Sequence, residues 1–265
     1  MACLTSVLDS LLREAIFRHS LDDHSAAICS RARATILLQV SAAKDNAQVP
    51  IGVSRFGGTP DLPAGVAWPR NPEDNLLLDF IGQINLSQLP DIGRTLPREG
   101  LLSLFAQQES ASDNPHAIHF STAIDSLATA GTPNSEDFSD ECTDEPFGIL
   151  LVKGFIPSVS LPDSLAAFPE FDDQTHDAYS KLMAELHDDR TQKEPTSRIF
   201  GYPNSPHGSA LNDDTWELVA QVESHFANGR SYLNFWDAGC LQFVAPRPEL
   251  SSCNFRESVA SVVSM

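Results

Sequence analysis

The chain has 265 residues, 42% of them hydrophobic, and carries 36 Asp and Glu against 17 Lys and Arg for a formal charge of −19. That apolar share is enough for a folded core and excludes a wholly disordered chain. The charge excludes a protein that grips nucleic-acid backbones, which needs a basic footprint, and no apolar run reaches the roughly 18–20 residues of a membrane span.

From the N-terminus, Val7, Leu8, Leu11, Leu12, Ala15 and Ile16 fall at helical spacing, and Thr5 or Ser6 precedes them as a cap, so Thr5 to Arg18 is predicted to be an amphipathic helix. Arg13, Glu14 and Arg18 interrupt this region and do not fit a signal peptide; a cytoplasmic, bacterial protein is the expectation. Ala34 to Val40 reads as a buried strand. Pro50 to Pro72 is dense in Gly and Pro and cannot be helical.

Leu77 to Leu86 is a predicted strand with Leu78, Phe80, Ile84 and Leu86 on one side and Asp79, Gln83 and Asn85 on the other. Gly100 to Gln107, Ala117 to Ser121 and Gly148 to Phe155 are further strands. Ser126 to Glu145 carries six acids and almost no apolar periodicity, so a solvated loop is expected there. Asp173 to Leu186 is the second predicted helix, with Ala178, Leu182, Met183 and Leu186 as its apolar stripe. Trp216 to Glu223, Tyr232 to Phe235 and Cys240 to Ala245 return to strands.

The charge is not spread evenly. Residues 109–189 hold 17 acids and 2 bases, whereas 1–108 and 190–265 are each at −2. The order of motifs in the two outer segments is similar. Phe56-Gly57-Gly58-Thr59-Pro60 is echoed by Phe200-Gly201-Tyr202-Pro203, with Arg55 and Arg198 just upstream. The strand of Gln83 is echoed by that of Gln221, and Gly100-Leu101-Leu102 by Gly239-Cys240-Leu241. Nearly constant offsets suggest one β unit used twice, at about 34–108 and about 190–265, around an acidic helical insert at about 109–189, all within a single domain. Trp216, Leu218, Ala220 and Val222 are expected on one face of the second strand, opposite Gln221 and Glu223.

These motifs resemble the YwqG-like family (domain of unknown function 1963). Phe56 to Pro63, Trp68-Pro69, the strand ending at Gln83-Ile84-Asn85, Pro97-Arg98-Glu99-Gly100-Leu101, Leu161-Pro162-Asp163 with Tyr179, Phe200 to Pro203, Trp216 to Ser224 and Asp237-Ala238-Gly239 follow the family order. The chain departs from the family's Gln-Ile-Asp-Ser at Gln221-Val222-Glu223-Ser224, from its Gly at Trp236 and from its Gln near His207. The resemblance implies an α+β fold with a large, mostly antiparallel sheet system. It implies no reaction.

No catalytic residue, metal ligand or cofactor motif is identified. His116 and His119 have the wrong spacing for one strand face, and His176 and His187 stand roughly 16 Å apart along a helix at ~1.5 Å per residue. G-x-S-x-G and phosphate-loop patterns are missing. Cys3, Cys29, Cys142, Cys240 and Cys253 are odd in number, scattered and free of C-x-x-C, so neither a disulfide framework nor a zinc site is signalled. Two expectations follow. The first is a non-enzymatic interaction protein, one version being immunity-like, that sets its acidic region against a basic protein partner. The second is a small-molecule site or hydrolase centre between the two β units, drawing on Arg55, Gly57, Gly58, Gln83, Asn85, Arg198, Gly201, Gln221, Glu223 and Asp237.

Overall fold

A computed structural model describes residues 4–44, 49–93, 97–107, 114–122, 124–131, 133–138, 148–162, 167–187, 196–203, 215–227 and 229–263. Helix α1 (Ser6–Arg18) starts where Thr5 Oγ1 accepts from Leu8 N, and Asp9 and Arg18 complement the dipole at its two ends. Its predicted stripe is buried at Leu8, Leu12, Ala15 and Ile16. Helix α2 (Ser25–Arg31) follows, a short element that the periodicity did not reveal. Helix α3 (Asp173–His187) matches the second predicted helix, and Asp172 Oδ1 caps it by accepting from Thr175 N at 2.8 Å. Tyr179, Leu182 and Leu186 are its buried positions, with the Tyr179 hydroxyl donating to Pro162 O. Helix α4 (Arg247–Ser252) opens with Pro248 in its first turn.

The strands are β1 (Arg33–Ala42), β2 (Arg55–Phe56), β3 (Asp61–Pro63), β4 (Asp79–Asn85), β5 (Leu101–Ala106), β6 (His116–Ser121) and β7 (Leu127–Thr129). They continue with β8 (Leu150–Ser160), β9 (Arg198–Ile199), β10 (Trp216–Glu223), β11 (His225–Ala227), β12 (Arg230–Leu233), β13 (Cys240–Pro246) and β14 (Val259–Val263). Ten of them form one sheet in the order β14-β13-β10-β9-β1-β8-β2-β4-β5-β6, every pairing antiparallel. The two-stranded sheet β3–β7 and the hairpin β11–β12 stand apart from it. The sheet curls until its edges meet: Asn114 N donates to Ala260 O at 2.9 Å, and His116 Nε2 lies 3.0 Å from Ser258 Oγ. This protects part of two strand edges that an open sheet would expose.

The middle of the sheet corrects the expected segment boundaries. β8 lies within the acidic segment in sequence, yet it forms the longest pairing of the sheet, with β1, from Arg33 opposite Ser160 to Ala42 opposite Leu150. The acidic segment is therefore built into the fold rather than inserted between finished units. Part of the expected solvated loop is also ordered, as β7 pairing with β3; residues 139–147 of that loop lie outside the described residues.

A second correction concerns which face each side chain takes. One extra residue sits between Phe80 and Gly82 in β4, and one between Leu218 and Ala220 in β10. Such a bulge inverts the alternation beyond it. Phe80 and Leu78 consequently join a small cluster with Leu62 and Phe105, against which Trp68 packs, while Ile81 and Ile84 enter the main core. Val219, Ala220 and Val222 enter that core likewise, and Leu218 does not. Simple alternation put Phe80 with Ile84 and Leu218 with Val222; both pairs are split by the bulges. The main core gathers Ile36, Leu38, Phe56, Leu104, Phe243 and Val159 with the buried stripes of α1 and α3. Each such side chain contributes about 1.5–3 kcal/mol by leaving water.

Candidate functional site

The polar residues singled out from the sequence lie in two rows on the face opposite the main core. In one row Arg55 stands opposite Gln83, Gln83 opposite Ser103, and Ser103 opposite His119. In the other Arg198 stands opposite Gln221, Gln221 opposite Gln242, and Gln242 opposite Ser261. Arg55, Gln83, Arg198, Gln221 and Gln242 are all buried. The two glutamines are five strand positions apart in the sheet order, about 24 Å along the sheet at ~4.8 Å per strand.

The first row is closed on itself. Arg55 Nη1 donates to Asp61 Oδ2 at 2.8 Å, and Nη2 to Thr59 O at 2.6 Å. Gln83 Nε2 also donates to Asp61 Oδ2, at 2.7 Å, and to Val53 O, while its Oε1 accepts from Asp61 N. Gly52 N and Thr129 Oγ1 complete the carboxylate's partners at 2.8 Å each. Burial pushes the Asp61 carboxyl up, but hydrogen bonds from Arg55, Gln83 and Gly52 and the charge of Arg55 outweigh it and hold the group below its ordinary value. Asn85 is engaged in architecture: Nδ2 donates to Gly52 O, and Oδ1 accepts from Ser87 N. The anion at this guanidinium is thus supplied by the chain's own Asp61. Asp61 belongs to the quoted Gly-Pro motif but was not singled out; an acid six residues after the arginine was the available signal.

The glycines explain how the chain folds back to deliver that carboxylate. Gly57 and Gly58 take φ of 67° and 74°, and Phe200 and Gly201 take 64° and 83°. The positive-φ pair thus stands two and three residues after the arginine in both segments, at Gly57-Gly58 and Phe200-Gly201, one residue away from the Phe-Gly match apparent in the sequence. A Cβ on Gly201 would lie 2.7 Å from Ser160 Cβ, so both its φ and its surroundings require glycine. Gly201 N donates to Glu217 Oε1.

The second row is different. Arg198 is 2% exposed, and its Nε and Nη1 have no hydrogen-bond partner among the described residues. Burial draws the guanidinium down to about 10, against smaller pulls upward from Glu223 and Cys240. Gln221 Nε2 donates to Glu223 Oε1. Burial raises the Glu223 carboxyl, and the Gln221 hydrogen bond and Arg198 charge only partly reverse this. Cys240, opposite Glu223 in the strand register, is pushed up to about 12 by burial and then by Glu223, and Gln242 Nε2 lies 3.8 Å from its Sγ. Such a thiol is a poor nucleophile at neutral pH. Sequence reasoning missed Gln242 and Cys240 because neither carries a local motif; only strand register brings them to Arg198.

Leu37, which faces Arg198 on β1 and Ile156 on β8, lines a cavity of about 1000 Å³ between α1 and α3, with Ile156, Ser158 and Glu185 also on its wall. Glu185 accepts from Arg18 and lies 2.8 Å from His19 Nε2 at its rim. Asp237 is exposed in the turn before β13, where Gly239 N donates to Phe235 O, and no hydrogen bond among the described residues connects it to Arg198. His207 lies outside the described residues. His116 and His119 project from opposite faces of the sheet, as their spacing requires: His116 packs on Phe243, and His119 faces Ser103. No group of three or more His, Cys, Asp or Glu able to hold a metal occurs among the described residues. No described helix is long and apolar enough to cross a membrane.

Fold and site define an α+β protein with one large antiparallel sheet that carries two buried guanidinium centres, one holding Asp61 and one with two nitrogens that have no partner among the described residues. The chain matches the family described as Domain of unknown function (DUF1963) over residues 54–262, well over half its length, and it belongs to that family. No curated protein is similar enough to match it.

Proposed function

We propose that this YwqG-like member of the family is a non-enzymatic ligand-binding protein, built from one β unit used twice, in which the Arg198 centre is the binding site and the Arg55 centre its structural counterpart. Matched details support the duplication. Outward from the β1–β8 pair the strands run β9, β10, β13, β14 on one side and β2, β4, β5, β6 on the other, and each half has its bulge two residues before the row glutamine. Ser54 Oγ accepts from Asn85 N at 2.8 Å, and Ser197 Oγ from Glu223 N at 3.0 Å. Ser54 O accepts from Val152 N on β8, and Ser197 O from Leu38 N on β1.

One observation carries the functional reading: of two register-equivalent buried guanidinium groups, Arg55 holds a carboxylate and Arg198 has two N–H-bearing nitrogens without a partner among the described residues. A buried cation left so costs stability, and retaining it is explained by what it binds. Thermal-shift and calorimetric screening of the full chain against small anions tests this, with a saturable signal expected that is lost on replacing Arg198. A second reading, docking of a basic protein on the acidic segment, is favoured by Glu170, Asp172, Asp173 and Asp177, all exposed at the start of α3. Binding of a basic peptide that weakens steeply with salt and with charge reversal at Asp173 and Asp177 is its expected signature.

A further inference from the structure

The protein contains its own template for the ligand. Asp61 presents a side-chain carboxylate to Arg55 Nη1, and the same nitrogen is one of the two left without a partner among the described residues in Arg198. The residue beside each arginine in the row is a buried glutamine, Gln83 or Gln221, and the loop that follows each arginine begins with the same pair of positive-φ residues. From these matched surroundings we infer that Arg198 receives the carboxylate of a bound ligand, in the place that Asp61 takes beside Arg55. This rests on the binding-site reading above and adds to it the chemical class.

Arg198 is buried and is not on the wall of the cavity, which it approaches only through a neighbour. Leu37, its cross-strand neighbour, lines the cavity between α1 and α3, and Glu223, two residues beyond Gln221 on β10, is only part-buried. Glu223 also sets the proton balance. It and Arg198 make no ion pair within 4.0 Å, so the ligand carboxylate enters between a cation and an acid. The charged and titratable groups that bear on Glu223 are Arg198 and Cys240. A second carboxylate nearby raises Glu223 further, so binding favours the protonated form of Glu223 and strengthens as pH falls.

The test is calorimetry and thermal unfolding of the full chain with four probes: succinate, N-acetyl-aspartate amide, inorganic phosphate and methylammonium. Succinate or the blocked aspartate is expected to bind saturably and to raise the melting temperature by about 2–4 °C near saturation. Affinity should fall at least ~10-fold in Arg198→Met and in Gln221→Glu, the second keeping side-chain size while adding a negative charge beside Arg198. Affinity should also rise as pH falls toward the raised value of Glu223, and this rise should disappear in Glu223→Gln. Preference for the blocked aspartate supports the inference with a peptide side chain as the source of the carboxylate, and preference for succinate supports it with a free small acid. Carboxylate binding that both variants leave unchanged overturns it. Phosphate bound through Arg198 with carboxylates ignored overturns the chemical class and preserves the binding-site reading. Failure of wild-type protein to bind any of the anions overturns both.

Discussion

Arg55 and Arg198 occupy matched positions in the sheet, and replacing each with Met is expected to have opposite consequences. Arg55→Met strands the Asp61 carboxylate, which is buried and holds below its ordinary value through Arg55. Removing one partner of a buried pair leaves an uncompensated charge and costs about 3–5 kcal/mol. Asp61 retains Gln83 Nε2, Gly52 N and Thr129 Oγ1 in that variant, which places the loss toward the lower end. Arg198→Met removes a cation that burial draws from 12.5 to about 10, a penalty of roughly 3 kcal/mol for holding the charge at neutral pH. The pull of Glu223 is already contained in that value, so the variant should be neutral or more stable by up to about 3 kcal/mol. Urea unfolding followed by circular dichroism measures both, and an unchanged slope with denaturant identifies a change in stability rather than in the unfolded state. An Arg198→Met loss as large as that of Arg55→Met would refute the reasoning, because Arg198 would then have a structural partner.

Four further outcomes are expected. Gly201→Ala should cost about 2–4 kcal/mol in the same assay, since φ of 83° and the 2.7 Å approach to Ser160 Cβ both oppose a side chain; Gly229→Ala, at φ of 73° but with open space around it, should cost only about 1 kcal/mol. Glu223 has a folded-state value raised above its unfolded one, so its contribution is present at acid pH and is lost as pH rises from 4.5 through the raised value; stability relative to Glu223→Gln should therefore decline over that window in pH-resolved melts. Asp61 is the reverse case, its contribution fully present above 3.8 and lost as pH falls through its lowered value, so Asp61→Asn should move the acid-unfolding midpoint to higher pH. Cys240, pushed up to about 12 and 3% exposed, should resist a thiol reagent in the native protein and react only on unfolding, whereas reaction at a rate like that of free thiols would contradict its burial.

The sequence by itself determined the two long helices, most of the long strands and the family. Thr5 ahead of a 3.6-residue apolar stripe, or eight alternating residues from Trp216 to Glu223, holds its information locally and needs no partner to be read. Gln83, Gln221, Arg55 and Arg198 were recognisable as a matched set because the two segments keep their order. Tertiary structure alone decided the rest. A single extra residue at Ile81 and at Val219 changes which side chains enter the core, and a bulge is visible only against the neighbouring strand. The central role of β8 depends on a pairing with β1 more than a hundred residues away in sequence. The difference between the two guanidinium centres is likewise a matter of folded geometry: whether a buried cation is filled depends on whether the loop that follows it turns a carboxylate back onto it, as Asp61 does beside Arg55.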